Sequence, residues 1–142
     1  MNSRMKACVA VTLLALSALC AFAPVAEATA IPTGAWTIIS SSGFTGTLQI
    51  TAVDPSGVMN LSAFGNPTIG FYDSATNSIL FTRQFGVNLD TVQQYVGNLV
   101  IKSVSPGVCT FALTGSFTGY GPSGGTAASH NFGWVAFING AC

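Results

Sequence analysis

Apolar and polar residues alternate along most of this chain, in short stretches that turn-forming residues separate. The clearest stretch is 44–52, where Phe44, Leu48 and Ile50 share one face and mainly threonine and glutamine residues occupy the other. Side chains of a β-strand alternate between two faces, so this pattern predicts half-buried strands. No stretch of helical length has apolar residues spaced three and four apart, and the sequence therefore predicts an all-β fold.

Turn signals divide the alternating pattern into about eight strands. The sequence Asp54-Pro55-Ser56-Gly57 predicts a hairpin turn, because proline suits its second position and glycine accepts a positive φ. The glycine-rich stretch 121–125 predicts a flexible loop, and 89–95 is the one stretch that suggests a short helical turn. The predicted strands are 36–40, 44–53, 58–64, 68–72, 78–84, 92–104, 108–120 and 131–138.

Short antiparallel strands joined mostly by tight turns suit either a small up-and-down barrel or a compact β-sandwich. All sixteen glycines follow residue 28, and four of them, Gly46, Gly70, Gly97 and Gly115, interrupt strand patterns. Glycines inside strands often mark bulges or the sharp bends of a small closed barrel. The glycines therefore favour the barrel, with the sandwich as the alternative.

The first 28 residues have the composition of a secretion signal. Arg4 and Lys6 form its basic start, and Ala7–Ala23 is its apolar run. Ala26-Glu27-Ala28 is a cleavage site between small residues. Ala28-Thr29-Ala30 is a second candidate for the cleavage site. We therefore expect a protein secreted to the extracellular space or the periplasm, with no membrane span after signal cleavage.

The exported part, residues 29–142, has the length of one domain. Two of the four cysteines, Cys8 and Cys20, leave with the signal, and Cys109 and Cys142 remain. An oxidising compartment favours a disulfide between these two. The bond would close a loop of about 34 residues and stabilise the fold by roughly 3.5–4 kcal/mol in the chain-entropy model.

Charged side chains are scarce in the exported part. They are Arg83, Lys102, Asp54, Asp73 and Asp90. Binding to nucleic acid or to anionic lipid needs clustered lysine and arginine side chains. We therefore expect neither as a partner.

The polar residues offer little for catalysis. His130 is the sole histidine and is predicted to lie in a solvated loop, so a serine triad would have to combine it with Ser123 or Ser129 and a distant aspartate. The exported part contains no glutamate, and Asp54 is explained as the first residue of a turn. Gly121–Gly125 lacks the lysine of a phosphate-binding loop. Two cysteines and one histidine are too few for a structural zinc site, and we predict a non-enzymatic protein without metal or cofactor.

The first strands resemble those of the calycins, the group of barrels that includes the lipocalins and avidins. Gly34-Ala35-Trp36 is similar to the Gly-x-Trp signature at the head of their first strand. Gly46-Thr47-Leu48, together with the hairpin at 54–57, resembles the early strands of avidin-type barrels. The resemblance implies an eight-stranded antiparallel barrel with a ligand cup at one end, and it transfers no individual binding residue.

Aromatic side chains are the remaining candidates for a binding site. They would line an apolar cup, and their rings also stack on sugars. We select Trp36, Tyr72, Tyr95 and Trp134 as candidate ligand-binding residues. This selection predicts a binding module for a small apolar or carbohydrate-like ligand.

A second hypothesis is an extracellular surface protein that assembles with copies of itself. In the last predicted strand, Trp134 and Ile138 lie on one face while Val135 and Phe137 lie on the other. Something has to cover the second apolar face, and few charges guard the strand against pairing with another chain. The last strand is therefore the predicted site of self-association.

Overall fold

The predicted strands form a closed antiparallel barrel in the computed structural model, which describes residues 29–123 and 126–141. Each strand is hydrogen-bonded to the next along the chain, and the last strand returns to pair with the first. The all-β barrel is thus confirmed, and the sandwich alternative is excluded. In chain order the strands are β1 (Gly34–Ser40), β2 (Thr45–Val53), β3 (Val58–Ala63), β4 (Asn66–Asp73), β5 (Ser78–Phe85), β6 (Thr91–Ser105), β7 (Val108–Ser123) and β8 (Thr126–Gly140).

Two local predictions are wrong. The stretch 89–95 makes no helical turn, because β6 begins at Thr91 and pairs with β5 from that residue onward. The first part of the predicted glycine-rich loop is strand, since Gly121 belongs to β7 and pairs with Ala128 of β8. A hairpin needs only a very short connection, so paired strands can extend this far. Residues 124 and 125 of that loop lie outside the described residues.

Alternation sorts the side chains of each strand between the barrel interior and the outer wall. Trp36 and Ile38 of β1 point inward and are buried, as are Leu48 and Ile50 of β2. The interior of an eight-stranded barrel is just wide enough for such side chains to fill. The sequence pattern placed Phe44 on the same buried face, and this prediction is wrong. Phe44 precedes the first residue of β2 and is 67% exposed.

The N-terminal segment, residues 29–33, closes one end of the barrel. The Tyr72 hydroxyl donates a hydrogen bond to the Thr29 carbonyl at 2.6 Å. The Trp36 indole N–H donates to the Pro32 carbonyl at 3.1 Å. Because Trp36 lies on β1 and Tyr72 on β4, these two bonds hold the segment across this end, which we call the N-terminal end.

The opposite end of the barrel, which we call the mouth, is bordered by short turns. The β3–β4 turn consists of Phe64 and Gly65, with φ values of 52° and 80°. A type I′ hairpin turn has positive φ at both of these positions and favours Asn-Gly. Phenylalanine therefore holds a backbone conformation that is costly for a bulky residue. The other described turns at the mouth are 41–44 and 86–90.

Two predictions reach beyond the described part of the chain. The signal peptide, residues 1–28, and Cys142 both lie outside it. Cys109 is 3% exposed and lies opposite Gly140 in the β7–β8 pairing, and its disulfide with Cys142 stays a prediction. Within residues 29–123 and 126–141, no helix has the length and apolar character needed to cross a membrane.

Asp54 organises the β2–β3 turn. Its Oδ1 atom accepts hydrogen bonds from the Ser56 hydroxyl at 2.6 Å, the Ser56 N–H at 2.8 Å and the Val58 N–H at 2.9 Å. These bonds, above all the one from the Ser56 hydroxyl, hold the pKa of the Asp54 carboxyl below its ordinary value. The folded state therefore favours the ionised form of Asp54.

Acid is expected to weaken this turn. The contribution of Asp54 to stability is complete above the unfolded pKa of about 3.9 and is lost as the pH falls through the lower pKa of the folded state. We therefore expect Asp54→Asn to lose less stability than the parent protein between about pH 6 and pH 2. Urea unfolding at a series of pH values measures both curves, and parallel curves would contradict the prediction.

Candidate functional site

Four aromatic rings form a continuous row across the inner wall of the barrel. Phe81, Tyr95, Phe117 and Phe132 lie directly opposite one another in the register of β5, β6, β7 and β8. The ring centroids of successive members are 4.5, 4.7 and 5.1 Å apart. Stacking of this kind adds about 0.5–1.5 kcal/mol per pair beyond the burial of the rings. We call these four residues the aromatic row.

Trp134 packs against the aromatic row and is held by its indole N–H. Its ring meets the rings of Phe81 and Tyr95 edge-on, at centroid distances of 5.7 and 5.8 Å. The indole Nε1 lies 3.1 Å from the carbonyl oxygens of both Val96 and Ser116. Trp134 is only 5% exposed, so these contacts make it part of the barrel interior.

A pair of glycines lies where the Trp134 ring packs against β6 and β7. Gly97 and Gly115 lie opposite each other in the β6–β7 pairing. A Cβ atom on Gly97 would lie 2.9 Å from Cζ2 of Trp134, and one on Gly115 would overlap the Val96 carbonyl oxygen. Gly97 therefore leaves room for the indole, and Gly115 allows β6 and β7 to approach closely at the point where the indole reaches a carbonyl on each strand.

A small cavity opens at the mouth, beside the aromatic row. Its volume is about 130 Å³. Four phenylalanines form most of its wall, and its polar groups are a hydroxyl, a guanidinium, an amide and a phenol. The lining residues are Ser40, Phe44, Phe64, Arg83, Phe85, Gln93, Tyr95 and Phe117. Binding sites for small molecules typically combine apolar walls with a few polar groups in this way.

Larger depressions lie elsewhere on the described part of the barrel. One of about 580 Å³ lies at the N-terminal end, between the N-terminal segment and the Asp54 turn, and it is more open to solvent than the mouth cavity. Enclosure matters more than volume here, because ligand sites bury most of the surface of what they bind. The mouth cavity is therefore the candidate site.

Arg83 projects into the mouth between two aromatic rings. Its guanidinium carbon lies 4.7 Å from the ring centroid of Phe64 and 4.2 Å from that of Phe85. Its Nη1 donates a hydrogen bond to Oε1 of Gln93 at 3.2 Å. Its Nε is buried without a hydrogen-bond partner, and none of the described aspartates forms an ion pair with it. Arg83 is thus a partly buried cation with no counter-charge among the described residues.

Gln93 connects Arg83 to Tyr95. Its Oε1 accepts the hydrogen bond from Arg83 and a second one from the Tyr95 hydroxyl at 2.8 Å. Burial raises the pKa of Tyr95, and the neighbouring Arg83 charge opposes this rise without cancelling it. Tyr95 therefore stays protonated at neutral pH and serves as a hydrogen-bond donor.

Phe64 covers the Arg83 side of the mouth. Its ring occupies the space above Gly46, where a Cβ atom would overlap the ring. The positive φ of Phe64 costs roughly 1–3 kcal/mol in a residue of this kind and persists only where the surroundings hold it in place. The ring of Phe64 is kept in place by its contacts with Arg83 and with the backbone at Gly46.

The four aromatic residues selected from the sequence are all buried and lie in two separate places. Tyr95 lines the mouth cavity, and Trp134 contacts Tyr95 from inside the barrel. Trp36 and Tyr72 bind the N-terminal segment at the other end. The structure therefore brings two of the four candidates together.

Of the residues that line the mouth cavity, Tyr95 was predicted from the sequence, whereas Arg83, Phe64 and Phe85 were not. Phe81, Arg83 and Phe85 occupy alternate positions of one strand, so alternation would have placed Arg83 on the inner face beside two aromatic residues. Phe64 lies in a turn, where alternation gives no signal. Its one sequence signal is Phe-Gly at a position where Asn-Gly is usual.

His130 lies on β8 and not in the loop that the sequence predicts. It pairs with Gly119, is exposed, and its ring lies 6.2 Å from that of Phe132. Among the residues that the structure describes, no group of three or more histidine, cysteine, aspartate or glutamate side chains could hold a metal ion. His130 therefore lies beyond the aromatic row without being part of a cluster of titratable groups.

Comparison with known proteins finds no match for this chain among protein-family models, curated proteins or solved structures. The eight-stranded antiparallel barrel is compatible with the calycin architecture.

Proposed function

We propose that this protein is a secreted, non-enzymatic binding module whose barrel mouth holds a small apolar ligand. The observation that carries the proposal is the mouth cavity, whose lining combines four phenylalanines with four residues that bear a polar group. Burying an apolar ligand against such walls contributes about 25 cal/mol for each Å² removed from water. The predominance of phenylalanine in the lining favours an apolar ligand over a carbohydrate.

Phe44→Ala is expected to weaken ligand binding without unfolding the protein. Phe44 lines the cavity and is 67% exposed, so its removal takes away ligand contact without leaving a buried void. We expect the affinity to fall roughly tenfold, with the free energy of unfolding within about 0.5 kcal/mol of the parent value. Native mass spectrometry of the exported protein from its own host identifies the ligand, and calorimetry then gives both affinities.

Phe71→Ala is the matched control. Phe71 is also an exposed phenylalanine, at 45%, and it lies on the outer wall away from the mouth. Binding should be unchanged in this variant. Recovery of the host protein without any bound small molecule, or equal losses of affinity in the two variants, would contradict the proposed binding function.

A second candidate function is assembly outside the cell, which an apolar row on the outer wall favours. Val58, Phe71, Leu80 and Val96 are successive neighbours in the register of β3 to β6, and each is 39–45% exposed. Residues 134–137 of β8 are hydrogen-bonded to strands on both sides, which leaves no free edge there for another chain. If copies associate through the outer wall, Phe71→Ala should reduce multimers in sedimentation velocity while Phe44→Ala leaves them unchanged.

A further inference from the structure

On the basis of the proposed binding function, we propose that the ligand of the mouth carries an oxyanion head group, such as a carboxylate, and that Arg83 is the residue that recognises it. The apolar body of the ligand would then contact the phenylalanine walls.

Arg83 has no counter-charge among the described residues. Removing a cation from water is costly unless an anion or several hydrogen bonds compensate it. Asp54 and Asp73 accept hydrogen bonds within their own turns at the N-terminal end, and Asp90 accepts one from Thr91. None of them pairs with Arg83. An anionic ligand would supply the compensation that the described residues do not.

The Arg83 guanidinium has N–H donors that no described residue uses. The rings of Phe64 and Phe85 lie 4.7 and 4.2 Å from its guanidinium carbon. Gln93 accepts a hydrogen bond from Nη1, whereas Nε donates to no described residue. A guanidinium has five N–H donors, and a pair of them along one edge matches the two oxygens of a carboxylate. The unused edge therefore suits a planar oxyanion better than a neutral group with a single acceptor.

The Arg83 guanidinium is covered in the structure. The Nε atom is shielded from solvent, and the Phe64 ring lies over the guanidinium from a turn of only two residues. Because this ring covers the guanidinium, an incoming head group has to displace it. Entry of the head group is thereby coupled to displacement of Phe64, and the ligand replaces the contact that the ring gives up.

Benzoate and benzamide test the inference, because they share size and shape and differ in charge. Calorimetry with the exported full-length domain should show tighter binding of benzoate than of benzamide. Arg83→Gln should lower the affinity for benzoate by at least roughly tenfold, as expected on removing one partner of a buried charge pair, and should leave benzamide binding within about threefold. Lys102→Gln is the matched control, since it removes the other described basic side chain, which is exposed on β6 outside the mouth lining.

The outcomes separate this inference from the proposed function. Equal binding of benzoate and benzamide by the parent protein would overturn the head-group inference and leave the binding function standing, and this comparison needs no variant. Equal loss of benzoate binding in Arg83→Gln and Lys102→Gln would also overturn it, because the effect would then be one of net charge. Binding of neither compound would count against both proposals.

Discussion

Replacing Trp134 with alanine is expected to lower the free energy of unfolding by about 3–5 kcal/mol. The indole is 5% exposed and packs edge-on against Phe81 and Tyr95. The glycines beneath it have no side chains with which to fill the void. The carbonyl oxygens of Val96 and Ser116 would also lose their indole donor. Urea unfolding followed by circular dichroism measures the loss.

Two further variants divide this effect into its parts. Trp134→Phe keeps an aromatic ring and removes the indole N–H, and we expect it to cost about 1–3 kcal/mol. Tyr120→Ala removes an aromatic side chain that is 48% exposed on the outer wall, and its cost should be about 1 kcal/mol or less. A Trp134→Ala protein that is as stable as its parent but binds no ligand would make Trp134 a ligand anchor and not a core residue.

The strands could be predicted because each one carries its own local signals. Alternation placed Leu48 and Ile50 on the buried face, and the 54–57 turn separated β2 from β3. Closure into a barrel could not be predicted in the same way. It depends on pairs such as Thr37 with Phe137, which are far apart in sequence and have no shared local pattern. Glycines favoured the barrel only as a tendency.

The candidate site was less predictable, because its members come from separate elements. Tyr95 was selected as an aromatic residue, while Arg83 entered the sequence argument only as one of few charges. Arg83 lies opposite Gln93 in the register of β5 and β6, and it contacts the ring of Phe64, which belongs to the β3–β4 turn. Phe64 reaches this position only because its backbone takes a positive φ, which sequence preference assigns to asparagine or glycine.

The glycine pair beneath Trp134 predicts the second large effect. Gly115→Ala is expected to cost more than about 3 kcal/mol or to prevent folding. The new Cβ atom would overlap the Val96 carbonyl oxygen and would lie 2.6 Å from the Cα of Gly97. Both of these are backbone atoms of the neighbouring strand, so no rotation of a side chain relieves the overlap. Strands β6 and β7 would have to separate at the point where Trp134 bonds to both.

Gly119→Ala is the control for this prediction, because it makes the same substitution on the same face of the same strand, four residues further on. A Cβ atom there would meet nothing closer than Cγ of Gln93, at 3.8 Å. We therefore expect its stability to stay within about 0.5 kcal/mol of the parent. Thermal unfolding of both variants gives the comparison. Similar losses of stability in the two variants would contradict the prediction. They would mean that β7 tolerates a side chain at neither glycine, whether or not the glycine lies close to Gly97.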